Sequence, residues 1–114
     1  MRNNFSQKDI VLVEVQYSNN QGIKFRPVVI LSNNNYNNSC EDYLVANISS
    51  SANDSKYNLN IFSEDVVDGE LKLKSKVKVD HLRLIEQNLV VQKIAKISDN
   101  LFEKIKEKLN ELIL

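Results

Sequence analysis

Arg26 lies between Phe25 and Pro27 at the start of an apolar run, in the stretch KFRPVVILS. Proline lacks a backbone N–H and restricts the preceding residue to extended geometry, so this stretch fits the start of a strand. A guanidinium offers five donors in a fixed fork that matches phosphate oxygens. Arg26 is therefore a candidate phosphate ligand, although an Arg-Pro pair taken alone is more typical of a strand start with a surface salt bridge.

Ser49 supplies a hydroxyl at the end of a second apolar stretch, YLVANIS. Alternation along a strand places Ser49 with Asn47 on a polar face, opposite the apolar residues at positions 44, 46 and 48. A serine at a strand end is also a common turn-former. Ser49 by itself is compatible with either role.

Four lysines alternate with other residues in the stretch LKLKSKVKV, which predicts a strand over residues 71–79. Side chains on one face of a strand repeat every second residue, so successive ammonium groups would lie about 6.6 to 6.8 Å apart, close to the phosphate spacing of an extended single strand. Such a stripe either follows an RNA backbone or discourages edge-to-edge sheet pairing. Its members are Lys72, Lys74, Lys76 and Lys78.

His81 and Cys40 are the single histidine and the single cysteine of the chain. One histidine excludes a two-histidine mechanism and argues against a transition-metal site, and one cysteine excludes an intrachain disulfide. We therefore expect no metal and no other cofactor. His81 has two interpretations, a proton shuttle near neutral pH or a hydrogen-bonding residue at a strand end.

The 114 residues carry a formal net charge of zero and are 42% hydrophobic, as is typical of one ordinary domain. Nucleic-acid binders usually carry a basic balance, so any RNA site in this chain has to be local. No stretch approaches the roughly 20 apolar residues of a membrane span, and the first residues, MRNNFSQKD, lack the apolar part of a secretory signal. We expect a cytoplasmic protein without membrane contact.

Short strands followed by one helix must hold these residues in place. Period-two or continuous apolar runs predict strands over residues 9–17, 24–32, 43–49, 57–62, 71–79 and 89–97. Asparagine-rich stretches at 18–22 and 32–42 are interpreted as loops. Three- and four-residue apolar spacing after Ser98 or Asp99 predicts an amphipathic C-terminal helix. The sequence therefore favours an α+β, mainly β fold, a small antiparallel barrel with a C-terminal α-helix, as a single domain over residues 1–114.

The ordered set of these stretches resembles the MazF/PemK family of toxins along almost the whole chain. The family motifs "GDIV", a glycine loop, "RPVVVLS", "ITS" or "ITT", and "S.V..DQIR" correspond to residues 8–11, Gly22, and residues 26–33, 48–50 and 75–83. Three positions depart from the family pattern. Ser49 replaces threonine, Asn47 replaces proline or alanine, and His81 stands where glutamine is common.

The resemblance implies an SH3-like barrel, a homodimer, and metal-independent cleavage of single-stranded RNA at short sequence motifs, as the toxin of a toxin–antitoxin pair. The family's catalytic arginine falls on Arg26 and its catalytic threonine on Ser49. The expected partners are single-stranded RNA and a cognate antitoxin. The residues expected to bind RNA are Lys24, Ser50, Lys72, Lys74, Lys76, Lys78 and His81.

Two alternatives use the same barrel differently. A CcdB-like toxin poisons gyrase by binding a protein, and it depends on a C-terminal tryptophan that this chain lacks. A barrel that binds RNA or antitoxin without cutting is the other alternative, which the serine at position 49 leaves open.

Overall fold

Antiparallel strands form a nearly closed barrel in the computed structural model, which describes residues 5–16 and 22–114. The strands follow one another across the sheet in the order β4-β6-β3-β2-β1-β7-β5, and the predicted antiparallel barrel with a C-terminal helix is confirmed. The elements are β1 (Asp9–Gln16), β2 (Ile23–Ile30), α1 (Asn34–Ser39), β3 (Asp42–Ser49), β4 (Asn58–Ile61), β5 (Val66–Val67), β6 (Ser75–Glu86), β7 (Val90–Ile97) and α2 (Asp99–Ile113).

The apolar run of β2 is buried on both faces, as its sequence predicts. Val29 and Leu31 belong to a core that also contains residues of α2, whereas Val28 and Ile30 belong to a second core on the other face. Alternation along β3 divides its residues in the same way, because Ala46 enters the first core and the preceding Val45 enters the second. The central strands are therefore held from both sides, which fixes the ends of β2 and β3.

Helix α2 begins where Ser98 caps it, with the Ser98 side chain accepting a hydrogen bond of 3.1 Å from the Leu101 amide. This confirms one of the two caps predicted from the sequence. Leu101, Phe102 and Ile105 are buried against the sheet, and each such side chain stabilises the fold by about 1.5–3 kcal/mol relative to exposure. The far end of the helix leaves Ile113 82% exposed.

A short helix, α1, occupies part of the stretch 32–42 that the sequence predicts as a loop. The Asn33 side chain caps it by accepting a bond of 2.9 Å from the Tyr36 amide. Asn37 is buried, where its side-chain amide donates to the Ser32 carbonyl at 2.9 Å. These local hydrogen bonds of asparagine side chains, rather than an apolar face, stabilise the short helix.

The strand predicted over residues 71–79 is wrong at its beginning, because β6 starts at Ser75. Its neighbours explain the boundary: β4 ends at Ile61, paired with Ser75, and β3 ends at Ser49, paired with Lys76. Residues 71–74 have no ladder partner and form a loop. Leu73, which alternates with the lysines in this stretch, is 66% exposed. Residue 17 and the predicted loop residues 18–21 lie outside the described residues.

None of the helices in the described part of the chain combines the length and the hydrophobicity that a membrane span requires.

Candidate active site

Arg26 and Ser49 meet at one end of the barrel. Strands β2 and β3 are paired with Val28 opposite Asn47, and Arg26 and Ser49 each lie two residues further out along their strands. Both residues line a cavity of about 460 Å³, together with Ser50 and Lys72. The structure thus brings together the two residues predicted as catalytic and two of those predicted to bind RNA.

Arg26 is held by the ladder between β1 and β2, where it pairs with Val13. Its side chain is exposed at the cavity. Within residues 5–16 and 22–114, its guanidinium makes neither an ion pair nor a hydrogen bond. Arg26 therefore lacks, among the described residues, the salt bridge that is common for an arginine before a proline. Its guanidinium donors are available to a ligand.

Ser49 forms a turn at the end of β3, one of the two roles that its sequence position allows. Its Oγ accepts a hydrogen bond of 3.2 Å from the Ser51 amide and lies 3.4 Å from Ser51 Oγ. The serine therefore closes the turn after β3 as an acceptor. The hydrogen bond from the Ser51 amide occupies only an acceptor site of the Ser49 hydroxyl. The hydroxyl is therefore still able to donate its hydrogen to a phosphate oxygen.

Glu70 and Gln92 also line the cavity, and sequence reasoning missed both. Glu70 is the one carboxylate among the described residues of this lining, and Gln92 comes from β7. Neither residue belongs to a recognisable motif. Gly69, directly before Glu70, was the available signal, because a glycine often marks a close approach between backbone segments.

The loop that carries Glu70 is pressed against β7. Gly69 has a φ of +134°, and a Cβ built there would lie 2.2 Å from the Ile94 carbonyl oxygen. Asp68 also has a positive φ, of 52°. Asp68 and Gly69 therefore form a tight corner from which residues 70–73 extend along the cavity.

An ion triad fastens the same corner to the barrel. Lys93 Nζ lies 2.7 Å from Asp68 Oδ2 and 3.4 Å from Asp9 Oδ1. Asp9 is buried, and its Oδ1 makes no hydrogen bond within the described residues. Lys93 is thus the countercharge for a buried carboxylate on β1 and at the same time the anchor of the loop.

The pair of Lys93 and Asp68 stays charged over a wide pH range. The hydrogen bond from Lys93 lowers the pKa of Asp68 from its ordinary 3.8, so this contribution is present above 3.8 and is lost as the pH falls through the lowered value. The bond to Asp68, followed by the charge of Asp9, raises the pKa of Lys93 from 10.5 against the effect of burial. That contribution is present below 10.5 and is lost as the pH rises through the raised value.

The predicted lysine stripe is divided by the late start of β6, and this part of the sequence prediction is wrong. Lys72 and Lys74 are exposed in the loop, whereas Lys76 and Lys78 lie in β6. Lys76 has a side chain only 18% exposed and forms an ion pair with Asp54, whose pKa that bond lowers. The regular spacing expected for lysines on one face of a strand therefore does not apply to Lys72 and Lys74.

Two further residues predicted to bind RNA lie outside this cavity lining. Lys24 is half-buried on β2, opposite Val15. His81 is exposed on β6, beside a register shift in the pairing with β3. Among the described residues, His81 does not line the cavity that Arg26 lines.

No group of three or more histidine, cysteine, aspartate or glutamate side chains in the described chain is arranged to hold a metal ion.

Comparisons with known proteins agree with this architecture. The chain is similar in structure to a MazE–MazF complex from Deinococcus radiodurans (17% identity, 96% and 95% of the two chains covered, TM-score 0.78) and to a MazF toxin of Mycobacterium tuberculosis (17% identity, 90% and 93% covered, TM-score 0.72). It is also similar to an endoribonuclease from a mycobacterial species in complex with its cognate antitoxin (14% identity, 95% and 93% covered, TM-score 0.70).

A comparison with curated protein sequences finds no match. The family model of the PemK-like, MazF-like toxin of type II toxin–antitoxin systems matches residues 6–113. Because this match spans nearly the whole chain, the protein belongs to the PemK-like, MazF-like toxin family.

Proposed function

We propose that this protein is a metal-independent endoribonuclease that cuts single-stranded RNA at short sequence motifs. The observation that carries the proposal is the shared cavity of Arg26 and Ser49, in which the guanidinium has no carboxylate partner among the described residues. Family membership supports the same reaction class, since one of the structures with this fold is a mycobacterial endoribonuclease.

The proposed reaction uses a nucleophile that RNA itself supplies. The ribose 2′-oxygen forms a bond to the adjacent phosphorus and loses its proton, while the bond from phosphorus to the 5′-oxygen breaks and that oxygen takes up a proton. The products are a 2′,3′-cyclic phosphate and a 5′-hydroxyl. During the attack, negative charge accumulates on the two non-bridging phosphate oxygens.

Arg26 stabilises that charge with a preorganised cation, and Ser49 donates a hydrogen bond that orients the phosphate. Loss of the Arg26 guanidinium is expected to lower the rate about 10²- to 10³-fold, as is typical for a group that stabilises transition-state charge. Arg26 acts as an electrostatic group rather than a base, because a guanidinium keeps its proton in proteins.

Glu70 is the best-placed group to accept the 2′-hydroxyl proton, because it is the one carboxylate among the described residues of the cavity lining. A positioned general base contributes about 10²- to 10⁴-fold. A Glu70→Gln variant retains the shape of the side chain and removes the base. Loss of the acidic limb of the pH–rate profile in this variant supports the assignment, and an unchanged limb contradicts it.

The proposed partners are an antitoxin and a second copy of the chain. The described surface exposes large apolar side chains on β6 and at the end of α2, namely Leu82, Leu84, Leu112 and Ile113. Apolar groups of this size favour a protein interface, and a closed two-fold dimer is the commonest oligomer. An antitoxin would bind through a disordered segment that folds on the toxin. Light scattering that shows a monomer at micromolar concentration argues against the dimer.

Incubation of the purified protein with a long RNA in the presence of EDTA tests the proposed function. Fragments that form despite the chelator identify a metal-independent nuclease, and cleavage that stops on chelation contradicts metal independence. RNA that stays intact with and without EDTA, while the protein binds it, identifies an inactive barrel instead.

A further inference from the structure

A second cavity lies beside the candidate active site, on the other side of the loop that leads into β6. Its volume is about 500 Å³. The two cavities share four lining residues, Leu71, Lys72, Leu73 and Ser75. A chain bound at Arg26 has only this loop to cross to reach the second cavity.

The second cavity combines aromatic, apolar and basic groups. Phe62 and Leu73 line it and are 53% and 66% exposed. Lys72 and Lys74, both exposed, lie on the loop at its edge. Stacking surfaces next to positive charge are what single-stranded nucleic acids require of a binding groove.

Phe62 is held in place by a rigid turn. Its backbone N–H donates to Asp65 Oδ2 at 2.9 Å, and its carbonyl accepts from the Asp65 amide at 2.9 Å. Asp65 is buried, and its carbonyl accepts from the Ser98 amide, the cap of α2, at 2.7 Å. The backbone that presents the ring is thus fixed to the barrel, so binding a ligand costs little ordering.

The segment that carries Phe62 also supplies groups that distinguish one base from another. Asn60, on β4, offers an amide with both donors and an acceptor, and Glu64 offers a carboxylate. A carboxylate repels a phosphate but accepts hydrogen bonds from the amino groups of bases. The lysine side of the cavity therefore fits a backbone, and the Asn60 side fits a base edge.

We propose that the second cavity binds the nucleobase next to the scissile phosphate, with its ring stacked on Phe62 and its edge read by Asn60 and Glu64. The inference rests on the proposed nuclease function, and it makes Phe62 the residue whose stacking holds the base against Asn60 and Glu64, which determine the base that is preferred. Lys72 and Lys74 hold the intervening backbone as it crosses the loop. A volume of about 500 Å³ falls within the usual range of small-ligand sites, roughly 300–1,000 Å³.

Sequencing of cleavage ends from a random RNA pool, with parent and Phe62→Ala protein, tests the assignment. The parent is expected to prefer particular bases at one position beside the cut, and Phe62→Ala should lose that preference. Binding of a short RNA with a 2′-deoxy sugar at the cut should weaken about 5- to 140-fold, as expected for one lost stack. Phe62→Trp should restore both. Val91→Ala, at an exposed position that lines neither cavity, is the control.

An abasic nucleotide identifies the contact itself. If Phe62 stacks on one base, an RNA that lacks this base should bind parent and Phe62→Ala equally, whereas abasic sites elsewhere should leave the difference intact. If the parent cuts RNA and Phe62→Ala retains the parent's affinity and base preference, the proposed base site is wrong but the nuclease function stands. The same result is expected if the cavity binds a protein partner. Parent protein that neither binds nor cuts RNA overturns both.

Discussion

Alanine at position 69 is expected to destabilise the protein through two separate effects at the corner that holds the active-site loop. The φ of +134° belongs to a region that is unfavourable for residues with a Cβ, which costs about 1–3 kcal/mol. The new Cβ would also lie 2.2 Å from the Ile94 carbonyl oxygen and 2.7 Å from the Ala95 Cα. Both are backbone atoms of β7, which is paired with β1 and β5 on its two sides.

This contact cannot be relieved by a side-chain rotation, so the substitution also carries an overpacking cost of about 1–3 kcal/mol. The expected total is about 2–6 kcal/mol, a large part of the roughly 5–15 kcal/mol of an ordinary domain. Residues 70–73 must shift with the corner, which displaces Glu70 and Lys72 from the cavity that both line.

Gly22 provides a matched control for the strain alone. It has a φ of +117°, and a Cβ there meets no atom of the described residues within 4 Å. Urea unfolding of Gly69→Ala and Gly22→Ala, with free energies extrapolated to water, should therefore differ by about 1–3 kcal/mol. Equal losses in the two variants would refute the close packing of the loop on β7.

Lys93→Met, which removes the countercharge of a buried carboxylate, should lower the free energy of unfolding at pH 7 by about 1–3 kcal/mol. Lys93→Met also removes the bond to Asp68, and urea unfolding should show that part of the difference shrinking once the pH falls below 3.8, where Asp68 is protonated in the unfolded chain. Ser49→Ala should lower the cleavage rate about 10-fold, the effect of one hydrogen bond to a charged group, and Ser49→Thr should preserve or raise it. Lys72→Gln and Lys74→Gln should each flatten the log-affinity versus log-salt slope by about 0.7, measured with an uncleavable RNA, whereas Lys104→Gln on α2 should leave the slope unchanged.

Local sequence patterns predicted the elements whose stability comes from apolar burial. The continuous apolar run of β2 and the helical spacing of α2 both specify which faces are covered. Helix α1 was missed because its residues, NNYNNS, have no apolar face, and an Asn33 cap is indistinguishable in sequence from a turn. Residues 71–74 were assigned to a strand because alternation reports only side-chain faces, whereas a strand also needs partners, and β3 and β4 end before them.

The candidate site was predictable only where a motif marked it. Arg26 and Ser49 were recognised through the family resemblance, and the structure brings them to one cavity. Glu70 and Gln92 enter that cavity from a loop and from β7, and their placement depends on the packing of Gly69 against Ile94. Such a contact joins residues distant in sequence, so no local pattern reports it.

Cleavage of a long single-stranded RNA by parent and Arg26→Ala protein, with the fragment ends identified, tests the central claim most directly. The parent is expected to give 2′,3′-cyclic phosphate and 5′-hydroxyl ends. Arg26→Ala should cut at most about a hundredth as fast, while its free energy of unfolding in urea stays within about 0.5 kcal/mol of the parent's, because the side chain is exposed. Arg26→Ala protein that cuts at the parent's rate, or parent protein that leaves other ends, would contradict the assignment of this cavity as the site of RNA cleavage.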